Sequence, residues 1–297
     1  LKHVNLSIST SEQMMKGKFM GRYTWDDIIE MMCEAVDTAK KYGAESIGVN
    51  AEDSSRTELE RLIEFGKAAK EHGADRIRYC DTLGYDDPFT IYERVKKLAE
   101  AVGIPIELHC NNDVGMAVAC SVTGAKGAID AGVDAYITTT VNGMGERAGN
   151  ADLVSTILAV KKSSGFENKY KLDEHIDLRQ AWKICKYASL SCRVPIPVNQ
   201  PAVGENAFAH ESGIHADGAL KDRRNYELFD YEDLGEDDEL ISHQKGRVIT
   251  TGEFGGLSGF KYVYERLGIE QRHEEILGVP IPLIEAVSYT HLTLPTT

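Results

Sequence analysis

The sequence lacks the features that would place the protein in a membrane or on nucleic acid. None of its apolar runs approaches the roughly 18 residues that a membrane-spanning helix needs. Acidic side chains (47) outnumber basic ones (33), and the net charge of -14 argues against nucleic acid or an anionic membrane as a partner. The six cysteines form no CxxC pair and no disulfide framework, so we expect a protein of the reducing cytoplasm.

A glycine repeat is the main feature that the sequence does contain. Glycines that each close a helical pattern and open a strand-like run recur at intervals of 30, 30 and 29 residues: Gly43, Gly73, Gly103 and Gly132. This spacing is the period of a βα unit. Five strand-like runs accompany the repeat, at 4–8, 46–50, 76–80, 104–108 and 135–140. Because short strands alternate with helices, we predict a parallel sheet of the α/β class.

The helices of this repeat show clear start and stop signals. The first spans Thr24 to Tyr42, with Thr24 as a candidate N-cap and two aspartates in its first turn. A second helix is predicted from Thr57 to His72. A third opens at Pro88, where the missing amide hydrogen costs nothing. A later helix is predicted from Asp173 to Cys192.

Polar segments follow the predicted strands, and two of them carry most of the chemistry. His109-Cys-Asn-Asn-Asp113 follows the fourth strand, and Asn142-Gly-Met-Gly-Glu-Arg-Ala-Gly-Asn150 follows the fifth. In a (β/α) barrel, the C-terminal ends of the strands carry the active site. An open doubly wound sheet would also fit the order of strands and helices. The polar segment after every strand favours the closed barrel.

These two segments contain side chains that can bind a metal ion. His109 and Asn111 are two residues apart, so alternation along a strand would point both toward the site. Imidazole and oxygen ligands suit Zn, Mn or Fe, and Mg where oxygen dominates. A lone histidine is more often a hydrogen-bonded core residue. The second segment adds flexible glycines and the ionised Glu146 and Arg147, and we therefore interpret the two segments together as functional.

The segments Glu107–Asn150 and Asn206–Lys221 resemble the homocitrate synthase and isopropylmalate synthase family of metal-dependent acyl-CoA condensing enzymes. The similarity covers nearly all of residues 1–270. The resemblance implies a TIM barrel followed by a small helical subdomain. It also implies a Claisen condensation of acetyl-CoA with a 2-oxo acid.

The resemblance implies ligands and a substrate contact. His109, Asn111 and Asn150 stand at the family's metal positions, so the expected cofactor is a divalent cation (Mn, Mg, Zn or Fe), with acetyl-CoA as co-substrate. Thr82, in the run Asp81-Thr-Leu-Gly84, resembles the threonine that binds the 2-oxo acid carboxylate.

The remaining implied roles concern catalysis. His210 resembles a general base that is commonly delivered to the neighbouring subunit's barrel, which implies a homodimer. Glu146 is expected to act in catalysis and Arg147 in substrate binding, both by shaping the site.

Three departures from the family pattern modify these expectations. Position 111 is Asn where the family usually has His, which replaces an imidazole with a weaker amide oxygen. The family's N-terminal Asp-Arg-Glu motif is not found, so the fragment as written is expected to be inactive. Gly48 stands where lysine-pathway homocitrate synthases tend to carry Arg, which favours the nitrogen-fixation type of homocitrate synthase or Re-citrate synthase. The segment Thr250–Gly256 loosely supports Re-citrate synthase.

We predict three segments and one reaction. Residues 1–165 form a partial (β/α)8 TIM barrel lacking its N-terminal strands, 166–286 form a helical linker and subdomain carrying His210, and 287–297 form a non-native tail. The predicted reaction condenses acetyl-CoA with 2-oxoglutarate to homocitrate. Oxaloacetate, as in Re-citrate synthase, is the first alternative, and isopropylmalate synthesis is the second. A metal-dependent acyl-CoA lyase or aldolase, or a degenerate non-catalytic binder, would belong to a different class.

Overall fold

A computed structural model of the chain describes residues 2–235, 247–250, 257–266 and 268. Contacts divide them into two units whose boundary in the sequence falls between Lys171 and Leu172. The tail predicted at 287–297 and residues 251–256 lie outside the described residues. No helix in the described part of the chain combines the length and the apolar character that crossing a bilayer requires.

The sheet of the first unit has five parallel strands that follow the order of the sequence: β1 (His3–Ser9), β2 (Ser46–Glu52), β3 (Arg76–Asp81), β4 (Ile106–Cys110) and β5 (Ala135–Ile137). The predicted α/β class and parallel sheet are confirmed. β4 begins two residues later than predicted, after Pro105, which has no amide hydrogen to donate. β5 ends before Thr140, because the backbone amide of Thr140 donates instead to the carbonyl of Ala151.

The helices of the first unit lie between and after these strands: α1 (Glu12–Gly17), α2 (Trp25–Lys41), α3 (Leu59–His72), α4 (Pro88–Val102), α5 (Ala117–Asp130) and α6 (Leu153–Lys162). α2 begins with a capping box formed by Thr24 and Asp27. α4 begins after the N-cap Asp87. Gly73 ends α3 with φ +102°, a left-handed conformation that side-chain-bearing residues rarely adopt.

The two faces of this sheet differ sharply in polarity, because alternate residues of a strand point to opposite sides. One face packs against the helices and forms an apolar core, with Val49, Ile77 and Leu108 as members. We call the opposite face the inner face. Its residues on β1 to β4 are mostly polar: Asn5, Ser7, Ser9, Gly48, Asn50, Glu52, Arg76, Arg78, Cys80, Glu107 and His109.

The second unit is built from short elements: α7 (Ala181–Cys192), β6 (Ala209–His210), α8 (Gly213–Lys221), β7 (Val248–Ile249) and α9 (Leu257–Arg266). β6 and β7 pair in parallel. The helix predicted from Asp173 is wrong over its first part. The side chains of Asp173 and Asp177 accept hydrogen bonds from the backbone amides two residues later, and these turns compete with a helix.

Candidate functional site

Glu52 is the last residue of β2, and its side chain lies on the inner face of the sheet. Two side chains from β1 and the segment after it hold its carboxylate. Ser9 and Lys18 both donate hydrogen bonds to it. Burial works to raise the pKa of Glu52, but these hydrogen bonds outweigh burial and keep the pKa below its ordinary value. Glu52 is therefore an ionised group at a strand end. Glu52 was not among the predicted site residues, although its position directly after the buried run of β2 was a usable signal.

His109 lies near the C-terminal end of β4 on the inner face, as the alternation of the strand requires. Its Nδ1 atom is buried and has no hydrogen-bond partner among the described residues. Burial, and then the nearby positive charge of Arg78, lower the pKa of His109. The imidazole is thus favoured in its neutral form, which is the form that binds a metal or accepts a proton.

Asn111 and Asn150 are brought together from two different strand ends, and both are buried, at 2% and 8% exposure. The Nδ2 of Asn150 donates to the Oδ1 of Asn111 at 3.0 Å. The Nδ2 of Asn111 donates in turn to the carbonyl oxygen of Asp81 at 3.2 Å. The two carboxamides therefore hold each other. Gly145 is required beside them, because a Cβ at that position would collide with the Oδ1 of Asn150.

These residues fit a metal ion only in part. One imidazole nitrogen is available on His109, whereas the Oδ1 of Asn111 already accepts a hydrogen bond from Asn150. Within the ranges that the structure describes, no group of three or more His, Cys, Asp or Glu side chains is arranged to hold a cation. The set lacks a carboxylate and a second imidazole, the strong donors of transition-metal sites.

Arg147 ties together the loops that follow β3, β4 and β5. Its Nε donates to the Oδ1 of Asp113 at 2.8 Å, and its Nη2 donates to the backbone carbonyl of Thr82 at 2.6 Å. Glu146 lies 3.4 Å from the Nη1 of Arg147, and its side chain is 71% exposed. Arg147 and Thr82, both predicted to bind substrate, are thus in contact. Glu146, predicted to be catalytic, faces mainly solvent.

The hydroxyl of Thr82 is positioned by the backbone of Asp53. Its Oγ1 accepts a hydrogen bond from the backbone amide of Asp53 at 2.9 Å. Because that bond uses a lone pair of the oxygen, the hydroxyl hydrogen remains free to be donated to a carboxylate.

His210 is buried in the second unit inside a group of charged side chains. Its Nε2 lies 3.0 Å from the Oε1 of Glu227, and the side chain is 10% exposed. Arg247 donates to both carboxylate oxygens of Glu227, with Nη2 to Oε2 at 2.6 Å. Burial works to raise the pKa of Glu227, but the hydrogen bonds from Arg247 and His210 lower it overall. His210 is thus held by a contact with the carboxylate of Glu227.

His215 is an exposed histidine of the same segment that was not among the predicted site residues. It lies on α8, and its ring packs against the ring of Tyr226 with centroids 4.3 Å apart. An exposed imidazole beside a phenol can exchange protons with a bound molecule, whereas a buried, paired imidazole cannot do so readily. His215 lies in the first turn of α8, within the segment Asn206–Lys221 that carries the family resemblance. That position was the sequence signal that could have identified it.

Two family profiles match most of the sequence. A profile described as HMGL-like matches residues 1–187. A second, described as homocitrate synthase post-HMGL domain-like, matches residues 202–279.

Curated relatives share substantial sequence identity with this chain. The citrate (Re)-synthase of Dehalococcoides mccartyi is 60% identical over 270 residues, which are 91% of this chain and 65% of the relative. The 2-isopropylmalate synthase 2 of Caldanaerobacter subterraneus is 45% identical over 238 residues, 80% of this chain and 58% of the relative. The homocitrate synthase AksA of Methanopyrus kandleri is 37% identical over 280 residues, 94% of this chain and 64% of the relative. The chain spans about two thirds or less of each.

Solved structures share the fold at low sequence identity. The HMG-CoA lyase of Bacillus subtilis superposes with a TM-score of 0.52 at 18% identity, over 66% of this chain and 65% of that one. The HMG-CoA lyase from Acinetobacter baumannii gives a TM-score of 0.50 at 15% identity, over 64% and 61% of the two chains. These similarities support the barrel fold class expected from the sequence.

Proposed function

This chain belongs to the HMGL-like family and carries a homocitrate synthase post-HMGL domain, and from that premise we propose that the protein condenses acetyl-CoA with oxaloacetate to form citrate. The resemblance to acyl-CoA condensing enzymes that the motifs indicated is confirmed at the level of the family. The sequence alone favoured 2-oxoglutarate, with oxaloacetate as the first alternative. The identities to curated relatives instead favour oxaloacetate.

The observation that supports oxaloacetate is the difference in identity between relatives. This chain is 60% identical to a citrate (Re)-synthase and 37% identical to a homocitrate synthase. Oxaloacetate and 2-oxoglutarate differ by one methylene, which is worth only about 1 to 3 kcal/mol in a pocket. Because so small an energy separates the two substrates, the choice between them rests on the higher identity to the citrate (Re)-synthase.

Residues of the first unit are proposed to bind the 2-oxo acid. The hydroxyl of Thr82, oriented by the amide of Asp53, would donate to the 2-oxo acid carboxylate. Arg147 holds the loop of Thr82 in place through its contact with the Thr82 carbonyl. In the proposed reaction a base removes a methyl proton from acetyl-CoA, the resulting carbanion equivalent adds to the keto carbon, and the keto oxygen takes up a proton. Water then cleaves the thioester, which gives citrate and free CoA.

The general base is proposed to come from the second unit, as the sequence analysis expected, but from His215 instead of His210. His215 is exposed and lies against Tyr226, whereas His210 is buried against Glu227. A base must reach the proton that it removes. The accessible histidine is therefore the better candidate.

A divalent cation, when bound, would polarise the keto carbonyl. His109, Asn111 and Asn150 are the side chains that this chain would offer to it. Because this set fits a metal only in part, no step of the proposed reaction is assigned to the cation.

The six free cysteines support the expected reducing compartment. The homodimer remains an expectation from the resemblance.

The test follows CoA thiol release by the full-length protein with Mn²⁺ present. Acetyl-CoA is offered with oxaloacetate, 2-oxoglutarate and 2-oxoisovalerate in parallel. We expect turnover with oxaloacetate above the other two acids. Preference for 2-oxoglutarate would contradict oxaloacetate as the substrate and favour homocitrate synthesis. Absence of CoA release with all three acids, together with cleavage of 3-hydroxyacyl-CoA thioesters, would identify a lyase and contradict the proposal.

A further inference from the structure

The inner face of the sheet is charged where a barrel interior is usually apolar. The interiors of (β/α) barrels are commonly filled by layers of Val, Ile and Leu side chains. In this chain β3 and β4 instead place Arg76, Arg78 and Glu107 on that face, and all three are largely buried. Burying a charged side chain costs free energy unless the charge is paired with an opposite charge or binds a ligand. Arg76 and Arg78 carry two positive charges, and Glu107 carries one negative charge. This group of three side chains therefore has a net positive charge.

Strand register arranges these side chains in rows across the sheet. Asn50 is the register partner of Arg78, and Arg78 is the partner of Glu107. Cys80 and His109 form the next row toward the C-terminal ends. Rows on one face are two residues apart, which is about 6.6 Å along the strands. The Arg78 row therefore lies one layer below the strand ends where the site gathers.

Arg76 and Arg78 are alike in sequence but differ in how their donor groups are used. Arg76 donates from Nε to Glu107 at 2.9 Å, from Nη1 to Ser46 at 2.7 Å and from Nη2 to Asn5 at 3.0 Å. All three nitrogens of its guanidinium are engaged. Its guanidinium also lies against the backbone of Gly48, where a Cβ would come within 3.1 Å of it.

The guanidinium of Arg78 is held by a hydrogen bond at one of its nitrogens, Nη2. Its Nη2 donates to the Oε1 of Glu107 at 2.5 Å, while its Nε is buried and has no hydrogen-bond partner in the described part of the chain. In the same row, the Oδ1 of Asn50 is also buried without a partner there. Asn50 is 9% exposed, and the side chain of Arg78 is 17% exposed. A buried donor without a partner is costly, and on a cation that is already held in place it is available to a ligand.

Glu107 fixes the position of Arg78. It accepts hydrogen bonds from both arginines and from the hydroxyl of Thr138 at 2.8 Å. Burial works to raise the pKa of Glu107, but the hydrogen bonds from Arg78 and Arg76 outweigh it and lower the pKa. The carboxylate thus stays ionised and restrains one edge of the Arg78 guanidinium. The other edge is left for an incoming group.

We propose that Arg78, with Asn50 beside it, binds the second carboxylate of a 2-oxo dicarboxylic acid and so selects dicarboxylic over aliphatic substrates. The inference rests on the proposed function and specifies its substrate class. A guanidinium matches a carboxylate in charge and geometry. Arg78 lies two rows before Thr82, the residue that directly follows β3, so the far end of a four-carbon acid whose 2-oxo acid carboxylate is bound by Thr82 would point down the inner face toward the long side chain of Arg78.

Equilibrium binding tests the proposal without requiring turnover. Oxaloacetate and 2-oxobutyrate have the same carbon chain, but a methyl group replaces the second carboxylate in 2-oxobutyrate. Both acids are titrated calorimetrically into the full-length protein and its variants with Mn²⁺ present. In Arg78→Met, we expect the Kd for oxaloacetate to rise roughly 10- to 100-fold, as for loss of a charged hydrogen bond. The Kd for 2-oxobutyrate should change little.

Arg76→Met is the matched control, because Arg76 also donates to Glu107 but has no free nitrogen. Each variant leaves Glu107 with one arginine and Thr138, and thermal unfolding checks that both variants fold. We expect the ratio of the two Kd values to stay at the wild-type level in Arg76→Met. Arg78→Lys should recover part of the discrimination, since it restores the charge without the planar geometry.

An unchanged ratio in Arg78→Met, or equal changes in both arginine variants, would overturn the assignment of Arg78. Preference of the wild-type protein for 2-oxobutyrate would overturn it as well. These outcomes are separable from failure of the proposed function. If wild type releases no CoA from acetyl-CoA but Arg78→Met still loses oxaloacetate selectively, the condensation fails and the binding role of Arg78 stands.

Discussion

Individual side chains in this protein differ in whether their polar atoms already have hydrogen-bond partners. Asn111 and Asn150 bond to each other, His210 is paired with Glu227, and His109 keeps a buried nitrogen without a partner among the described residues. A polar atom that is already bonded must give up that bond before it can serve a ligand. The unpaired atoms are therefore the first places to look for binding.

Replacing Asn111 with His should strengthen metal binding. The change adds an imidazole two residues from His109 on the same strand face and removes the amide that Asn150 now engages. We expect Mn²⁺ or Zn²⁺ to bind at least about tenfold more tightly, or about 1.4 kcal/mol. Calorimetric titration of the metal measures the change. Asn111→Ala is the control, because it breaks the same amide pair without adding a ligand, and equal affinity of the two variants would contradict the expectation.

Glutamine substitutions at His215 and His210 should have different consequences. His215→Gln should lower kcat roughly 100- to 10,000-fold while sparing 2-oxo acid binding, as expected for a lost general base. His210→Gln should instead lower the free energy of unfolding by about 1 to 3 kcal/mol, because it removes a buried partner of Glu227. Steady-state kinetics and chemical denaturation separate the two effects. A loss of kcat confined to His210→Gln, with unchanged stability, would return the role to His210.

Elements of the first unit are joined by side chains that reach from one βα repeat to the next. Lys40 on α2 donates to the carbonyl of His72 at the end of α3, at 2.9 Å. Lys70 on α3 donates in the same way to the carbonyl of Val102 at the end of α4, at 2.7 Å. A cation at a helix C-terminus is favourable. The thirty-residue period of the sequence is thus repeated in its helix caps.

Strand β3 and helix α4 are linked through a buried carboxyl group whose titration should be measurable. Asp86 accepts a hydrogen bond from Tyr79 at 2.6 Å, and Arg94 donates to the same tyrosine oxygen at 2.9 Å. Burial raises the pKa of Asp86 from 3.8 to about 6. The folded state therefore binds this proton more tightly than the unfolded state does.

This raised pKa predicts a stability change in a defined pH range. The stabilising contribution of protonated Asp86 is complete below pH 3.8 and is lost as the pH rises to about 6. The loss is at most about 3 kcal/mol. Chemical denaturation at a series of pH values measures the free energy of unfolding. Between these limits, this free energy should change less with pH in Asp86→Asn than in the wild-type protein. Parallel curves for the two proteins would show that Asp86 titrates normally.

At the scale of the whole molecule, the two units carry different parts of the proposed chemistry. Thr82, His109 and Arg78 lie in the first unit, and His215 lies in the second. The family resemblance implies that the base is delivered to a neighbouring subunit. A dimer with exchanged bases should then permit complementation between two inactive variants.

Mixed dimers of Thr82→Val and His215→Gln should recover activity that neither variant has alone. In such a dimer one site combines an intact Thr82 from one chain with an intact His215 from the other. The two proteins are unfolded and refolded together, the mixed species is verified by native mass spectrometry, and CoA release is measured. Recovery supports base exchange, and verified mixed dimers without activity would exclude it.

The sequence by itself determined the architecture of the first unit and the location of its polar segments. Caps such as Thr24, the glycine period and the apolar alternation of the strands are local signals, because each depends on residues within a few positions of one another. The strand ends differed from prediction where backbone partners were distant, as at Thr140. The helix expected from Asp173 failed through local side-chain turns that compete with a helix.

The tertiary structure alone decided which polar atoms are satisfied and which remain available. That Arg76 is fully engaged and Arg78 is not depends on Asn5, Ser46 and Glu107, which come from other strands of the sheet. No local pattern distinguishes two arginines that are two residues apart on the same face. Register between distant strands sets their partners, since the hydrogen bonds form only once the sheet has assembled.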